Sequence, residues 1–144
     1  MKKELKRTTN TKDTYVTITF EKENDLIFVD WNGFLPVELV KAGSEELLNI
    51  IKEVKCANVL VNNQKVSGPW QAANGWYQTD WNPRAASEGL TTMAVIMSDN
   101  IFTQLSLQGF TKVSKGAYTV GVFNNDNQAR TWIKQQQKEA LVTA

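Results

Sequence analysis

The 144-residue sequence contains no histidine, and this absence excludes several kinds of chemistry. Without imidazole there is no Ser-His-Asp or Cys-His nucleophile, no histidine ligand for zinc and no histidine acid or base. Cys56 is the single cysteine of the sequence, which excludes a disulfide within it and a cysteine-based zinc cluster. We therefore predict no catalytic residues, no metal and no cofactor.

Long apolar runs and an excess of one charge are also lacking. No run approaches the roughly 18 apolar residues that span a bilayer, and the basic N-terminus is not followed by the apolar part of a secretory signal. Lysine and arginine number 16 against 15 acidic residues, a net charge of +1. Phosphate contacts need a clustered basic excess. We expect a cytoplasmic protein with no nucleic-acid partner and no membrane span.

The hydrophobic pattern predicts an α/β protein. Residues 15–21 alternate between apolar and polar, and residues 26–31 form a second apolar run after a four-residue turn, which is typical of a hairpin. The later segments alternate between strands and helices, which favours parallel crossovers. Further strands are predicted at 57–62, 90–97 and 117–123, and helices at 37–54, after Ser67, at 101–107 and at 127–138. Together they predict a mixed sheet of about five strands with about four helices packed on it.

One domain is expected at residues 15–138. Residues 1–14 are polar and basic and are predicted to be a disordered or extended N-terminal arm, and residues 139–144 a C-terminal tail. Within the first helix, Gly43 indicates a break, and Ser44 before two glutamates is typical of a new N-cap. The first helix is therefore expected in one piece or in two.

Residues 67–84 hold three of the five tryptophans and are the candidate functional stretch. Ser67 before Pro69 is typical of a helix N-cap. Trp70, Tyr77 and Trp81 then fall on one stripe of a helix, and Trp76 sits about 100° away from Tyr77, so that only one of these two adjacent residues can face inward. Such a stripe packs as core, lines an apolar pocket or forms an oligomer interface. The candidate ligand or interface residues are Trp31, Trp70, Trp76, Tyr77 and Trp81.

The order of elements and several short motifs resemble the SpoIIAA-like branch of the STAS superfamily. The motifs are Asp30-Trp31 before the first helix, the tryptophan-bearing second helix, the apolar strand 93–97 followed by Ser98-Asp99-Asn100, and the closing run from Val122 to Ile133. They are patterns of packing residues and cover about residues 15–138. The resemblance therefore supports a prediction of the fold more strongly than a prediction of the function.

The resemblance implies a bacterial, non-enzymatic regulatory or binding module. It would bind a protein partner or an apolar small molecule and would form a homodimer. In the phosphorylated members, a serine before the second helix is the switch, and Ser67-Gly68 occupies that turn here without the preceding aspartate. Ser67 is thus both a candidate phosphorylation site and a candidate cap. The alternative to a binding module is an enzyme of unknown type that uses carboxylates in a cleft.

Overall fold

The computed structural model describes residues 1–7 and 10–143, and within these ranges six strands form one mixed sheet. The strands are β1 (Lys2–Arg7), β2 (Asn10–Glu21), β3 (Leu26–Gly33), β4 (Asn58–Val66), β5 (Thr92–Ile96) and β6 (Thr119–Phe123). The helices are α1 (Val37–Val54), α2 (Asn74–Trp76), α3 (Asn82–Ser87), α4 (Ile101–Val113) and α5 (Asp126–Thr143). A 3₁₀ turn before α2 and a π-helical turn after it join α2 and α3 into one helical segment, residues 71–87, here called the tryptophan helix.

The strands lie side by side in chain order, β1 to β6. The pairings β1–β2 and β2–β3 are antiparallel, and the three later pairings are parallel. Right-handed crossovers that always advance in one direction must place their helices on one face of the sheet. Accordingly α1, the tryptophan helix and α4 share one large core, and α5 packs on the opposite face around Ala129 and Ile133. The predicted α/β class with a mixed sheet and about four helical elements is confirmed.

The sheet has six strands rather than about five because the N-terminal segment pairs with β2. Lys2 to Arg7 run antiparallel to β2, and the Arg7 guanidinium donates hydrogen bonds to the carbonyl oxygens of Asn32 and Phe34. β1 carries charged side chains on an exposed edge, a pattern that limits edge-to-edge aggregation. Backbone pairing holds this strand, so its side chains carry little hydrophobic signal. Thr8 and Thr9 of the predicted arm, and Ala144 of the predicted tail, lie outside the described residues.

Helix α1 continues through Gly43, so the alternative of two helical pieces is wrong. The Trp31 ring lies against the helix at this point, and a Cβ on Gly43 would stand 2.4 Å from Trp31 Cη2. Ser44 is not an N-cap but a buried residue in the middle of the helix. Glycine here permits a close approach of helix and ring, not a break.

Several other boundaries differ from the predictions, and α4, predicted at 101–107, continues to Val113. Residues 62–66 continue β4, because β3 offers backbone partners as far as Gly33. The residues predicted as a C-terminal tail extend α5 as far as Thr143.

Ser67 is not the N-cap of the following helix. Its N–H donates to the Gly33 carbonyl oxygen at 3.2 Å, and the tryptophan helix begins four residues later, at Gln71. Asn100 is the N-cap of α4, because its side-chain oxygen accepts from the N–H groups of Phe102 and Thr103.

Candidate functional site

The tryptophan helix turns one aromatic stripe toward the sheet. Tyr77 and Trp81 are 7% and 1% exposed, and both belong to a π-helical turn. Their rings meet edge to face at a centroid distance of 5.6 Å, and Tyr77 meets Phe110 of α4 in the same way at 4.9 Å. π-Helical turns are rare and often occur at functional sites.

A cavity of about 50 Å³ lies inside this aromatic cluster, between α1, the tryptophan helix, α4 and the central strands. The cavity is larger than the ~10–15 Å³ that a water molecule requires and smaller than the ~150 Å³ that admits benzene. None of the described side chains that line it is charged. The aromatic lining residues are Trp31, Trp70, Tyr77, Trp81 and Phe110, and the others are Leu35, Val40, Ser44, Leu47, Val61, Asn63, Met93, Val95 and Leu107.

One end of the cavity is held by hydrogen bonds within the protein. The Ser44 and Tyr77 hydroxyls share a bond of 2.6 Å, and Trp81 Nε1 donates to the Ser44 carbonyl oxygen at 2.8 Å. Burial raises the pKa of Tyr77 to about 12, so its phenol remains neutral at physiological pH. These bonds tie the rings of Tyr77 and Trp81 to Ser44, which lies 33 and 37 residues earlier in the sequence. They hold this wall of the cavity in place.

Asn63 contributes a side-chain amide to the cavity lining, and no other described lining residue forms a hydrogen bond with it. The residue is 5% exposed, and among the described residues its side-chain amide has no hydrogen-bond partner. A bulge places it there: Asp30 pairs with Asn62 and Asn32 with Lys65, so that Trp31 of β3 stands opposite two residues of β4. Bulges commonly re-aim a side chain beside a site. Trp31 and Asn63 both line the cavity at this bulge.

A surface depression of about 320 Å³ adjoins the cavity. Its walls are the β3–α1 connection, residues 34–37, and residues 69–72 before and in the first turn of the tryptophan helix. Leu35 and Trp70 line both spaces and so form the partition between them. The Trp70 Nε1–H is buried and has no hydrogen-bond partner in the part of the chain that the structure describes.

Trp76 belongs to the surface and not to the cavity. It is half-buried, its Nε1 donates to the Asp80 carboxylate at 3.1 Å, and the Lys41 ammonium lies 5.6 Å from its ring centroid. Asp80 also accepts from Arg84, which is paired with Glu45 of α1. The prediction that only one of the adjacent residues Trp76 and Tyr77 faces inward is confirmed. A ligand or interface role for the aromatic residues stays a prediction.

The remaining candidates lie apart from the cavity. Ser67 is exposed in the loop after β4, so a kinase could reach it, and its phosphorylation stays a prediction. Cys56 is buried, and burial raises the pKa of its thiol to about 11, which keeps it protonated. The residues that the structure describes contain no group of three or more potential metal-ligating side chains. They also contain no helix long and apolar enough to cross a membrane.

Sequence reasoning identified four of the aromatic lining residues and missed the polar ones. Asn63 lies just beyond the strand predicted at 57–62, and the neighbours of Ser44 are typical of a helix cap rather than of a cavity wall. Extending the alternation of Val59 and Val61 by two residues would have placed Asn63 on the helix-covered face. Its neighbours in the cavity come from distant segments, which no local pattern indicates.

A comparison of the chain with protein-family models finds no match, and a comparison with curated protein sequences finds no significant match.

Proposed function

We propose that the chain is a non-enzymatic binding module that takes a small, largely apolar molecule into the aromatic cavity and the adjoining depression. One observation carries the proposal: an aromatic wall surrounds Asn63, which is 5% exposed and whose side-chain amide lacks a hydrogen-bond partner among the described residues. Ligand sites are concave and mostly apolar, with a few placed polar groups that fix orientation. A regulatory role of the kind seen in STAS-like proteins is part of this proposal.

The dimensions favour a ligand shared between the two spaces. The cavity of about 50 Å³ accepts only a small group, whereas the depression of about 320 Å³ is within the range of about 300–1,000 Å³ typical of ligand sites. Leu35 and Trp70 line both spaces, so a ligand that occupies both must displace at least one of these side chains.

The test is intrinsic tryptophan fluorescence against a panel of hydrophobic metabolites and fatty acids. Wild type should show a saturable shift with at least one compound. Trp132→Phe should keep the shift, because Trp132 packs with the core of the opposite face. Leu107→Phe should abolish it, because residue 107 lines the cavity and a larger ring would fill it.

The matched control for the filled cavity is Leu105→Phe. Leu105 lies on the same helix but is 52% exposed, so the same substitution leaves the cavity open. Equal binding by both variants would show that the compound binds elsewhere. A panel without any saturable response in wild type would refute the proposed function.

A second candidate function, binding of a protein partner or of a second copy, has its own observation. Ile101, Phe102 and Leu105 are each more than half exposed and adjoin one another at the start of α4. Contiguous exposed apolar residues mark interaction surfaces. Light scattering tests the homodimer: wild type should have twice the mass of the Phe102→Ser variant, and a monomeric wild type would contradict it.

A further inference from the structure

We infer that, within the binding function proposed above, the pocket selects a neutral molecule with an amide-type end, a hydrogen-bond donor beside an acceptor, which Asn63 binds inside the cavity. The apolar body of this ligand would lie in the depression between residues 34–37 and residues 69–72. The inference depends on the proposed function and adds the chemical class of the ligand.

The first step is the unpaired amide itself. A carboxamide carries both a donor and an acceptor. Asn63 is 95% buried by area, and its side chain has no partner among the described residues. Its amide atoms are not among the fully occluded unpaired atoms, so part of the amide surface stays accessible where Asn63 lines the cavity. A ligand end with the complementary pair of groups would satisfy it.

A second unpaired group stands at the partition. The Trp70 Nε1–H is a donor without an acceptor capacity, and it is buried without a partner in the described part of the chain. Trp70 lines both the cavity and the depression, so a ligand that passes between them passes this ring. A carbonyl oxygen of the ligand could accept a hydrogen bond from this Trp70 N–H group.

The absence of charged residues from the described cavity lining limits which ligands can bind. None of the described residues around the cavity is acidic or basic, and the one titratable hydroxyl, that of Tyr77, already bonds Ser44. An ionised group in such a site has no compensating charge and pays a large desolvation penalty. A carboxylate or an ammonium is therefore disfavoured, and a neutral amide is preferred.

The experiment compares three probes that share one body: 3-phenylpropanamide, 3-phenylpropanoate and N,N-dimethyl-3-phenylpropanamide. Affinities are measured at pH 7 by calorimetry, which does not depend on the tryptophan signal. We expect wild type to bind the primary amide about tenfold or more tighter than the carboxylate and than the dimethyl amide, which cannot donate.

The variant Asn63→Leu should lose about tenfold or more in affinity for the primary amide and bind the two amides with similar affinity, whereas the carboxylate stays disfavoured because the lining is still uncharged. The matched control is Asn62→Leu, one residue earlier on β4. Its amide bonds Asp30, and Asn62 does not line the cavity, so this variant should bind like wild type. Thermal unfolding of both variants checks that they are folded, and the probe series on wild type stands even if a variant is not.

The inference is overturned if the carboxylate binds wild type as tightly as the primary amide. It is also overturned if a folded Asn63→Leu variant keeps its full affinity for the amide. If no probe binds while other compounds of the fluorescence panel do, the amide class is refuted and the proposed function stands. If neither the probes nor the panel bind, both fail.

Discussion

Replacement of Gly43 by alanine tests whether the contact between α1 and Trp31 decides the residue at this position. In an exposed helix interior, Gly→Ala stabilises a protein by roughly 0.5–1 kcal/mol, because alanine loses less backbone entropy on folding. Gly43 lies near the middle of α1, so helix propensity alone predicts a stabilised variant. The contact between Gly43 and Trp31 predicts instead that the alanine variant is less stable than wild type.

The magnitude follows from the distances. A Cβ at position 43 would lie 2.4 Å from Trp31 Cη2 and 2.8 Å from Cζ3, closer than the ~3.5–4.0 Å of an ordinary carbon contact. The indole or the helix must therefore move by about 1 Å, and such overpacking costs typically 1–3 kcal/mol. After subtraction of the gain in propensity, we expect Gly43→Ala to destabilise the protein by about 1 kcal/mol.

The matched control is Gly75→Ala in α2, where an added Cβ would meet nothing within 4 Å. This variant should gain up to about 1 kcal/mol. Urea unfolding followed by far-UV circular dichroism measures both. Combining Gly43→Ala with Trp31→Phe, which shortens the ring, should reverse the sign of the alanine effect. The reasoning is refuted if Gly43→Ala stabilises as much as Gly75→Ala in the wild-type background.

Three further predictions concern single groups. Tyr77→Phe leaves the buried Ser44 hydroxyl without its 2.6 Å partner and should cost about 1–2 kcal/mol in urea unfolding; an unchanged midpoint would contradict that bond. The hydrogen bonds from Arg130 lower the pKa of Glu21, so this pair stabilises the fold above pH 4.5 and loses its effect as the pH falls through the folded-state pKa. Glu21→Gln should lose up to about 1 kcal/mol at pH 7 and little at pH 3, and a pH-independent difference would argue against the pair. The protonated, buried Cys56 should react with a maleimide at pH 8 at least about 100-fold more slowly than in urea, and rapid native labelling would show otherwise.

The aromatic stripe shows how much of the site a local pattern could predict. Helical spacing alone placed Trp70, Tyr77 and Trp81 on one side and Trp76 on another, and the structure confirms that arrangement. The spacing could not say that the stripe surrounds a cavity. The other walls come from α1, α4 and the central strands, far away in sequence.

The serines show where local signals were overruled. Ser44 and Ser67 both have neighbours that are typical of an N-cap, yet neither caps a helix. At position 44 the helix α1 continues without a break, and Trp31 packs against it at Gly43. At position 67 the backbone N–H is taken by the carbonyl oxygen of Gly33, so the chain stays extended for longer than the motif suggests.

The sequence by itself determined the α/β class, most of the elements and the grouping of Trp70, Tyr77 and Trp81 on one stripe, because periodicity and propensity are local properties of a chain. Only the tertiary structure decided that residues 2–7 form a sixth strand and that Asn63 stands unpaired in an aromatic cavity. Both depend on backbone pairing between segments: β1 against β2, and a bulge between β3 and β4. Pairing of this kind leaves little trace in the side chains, whereas packing of apolar faces leaves a clear one.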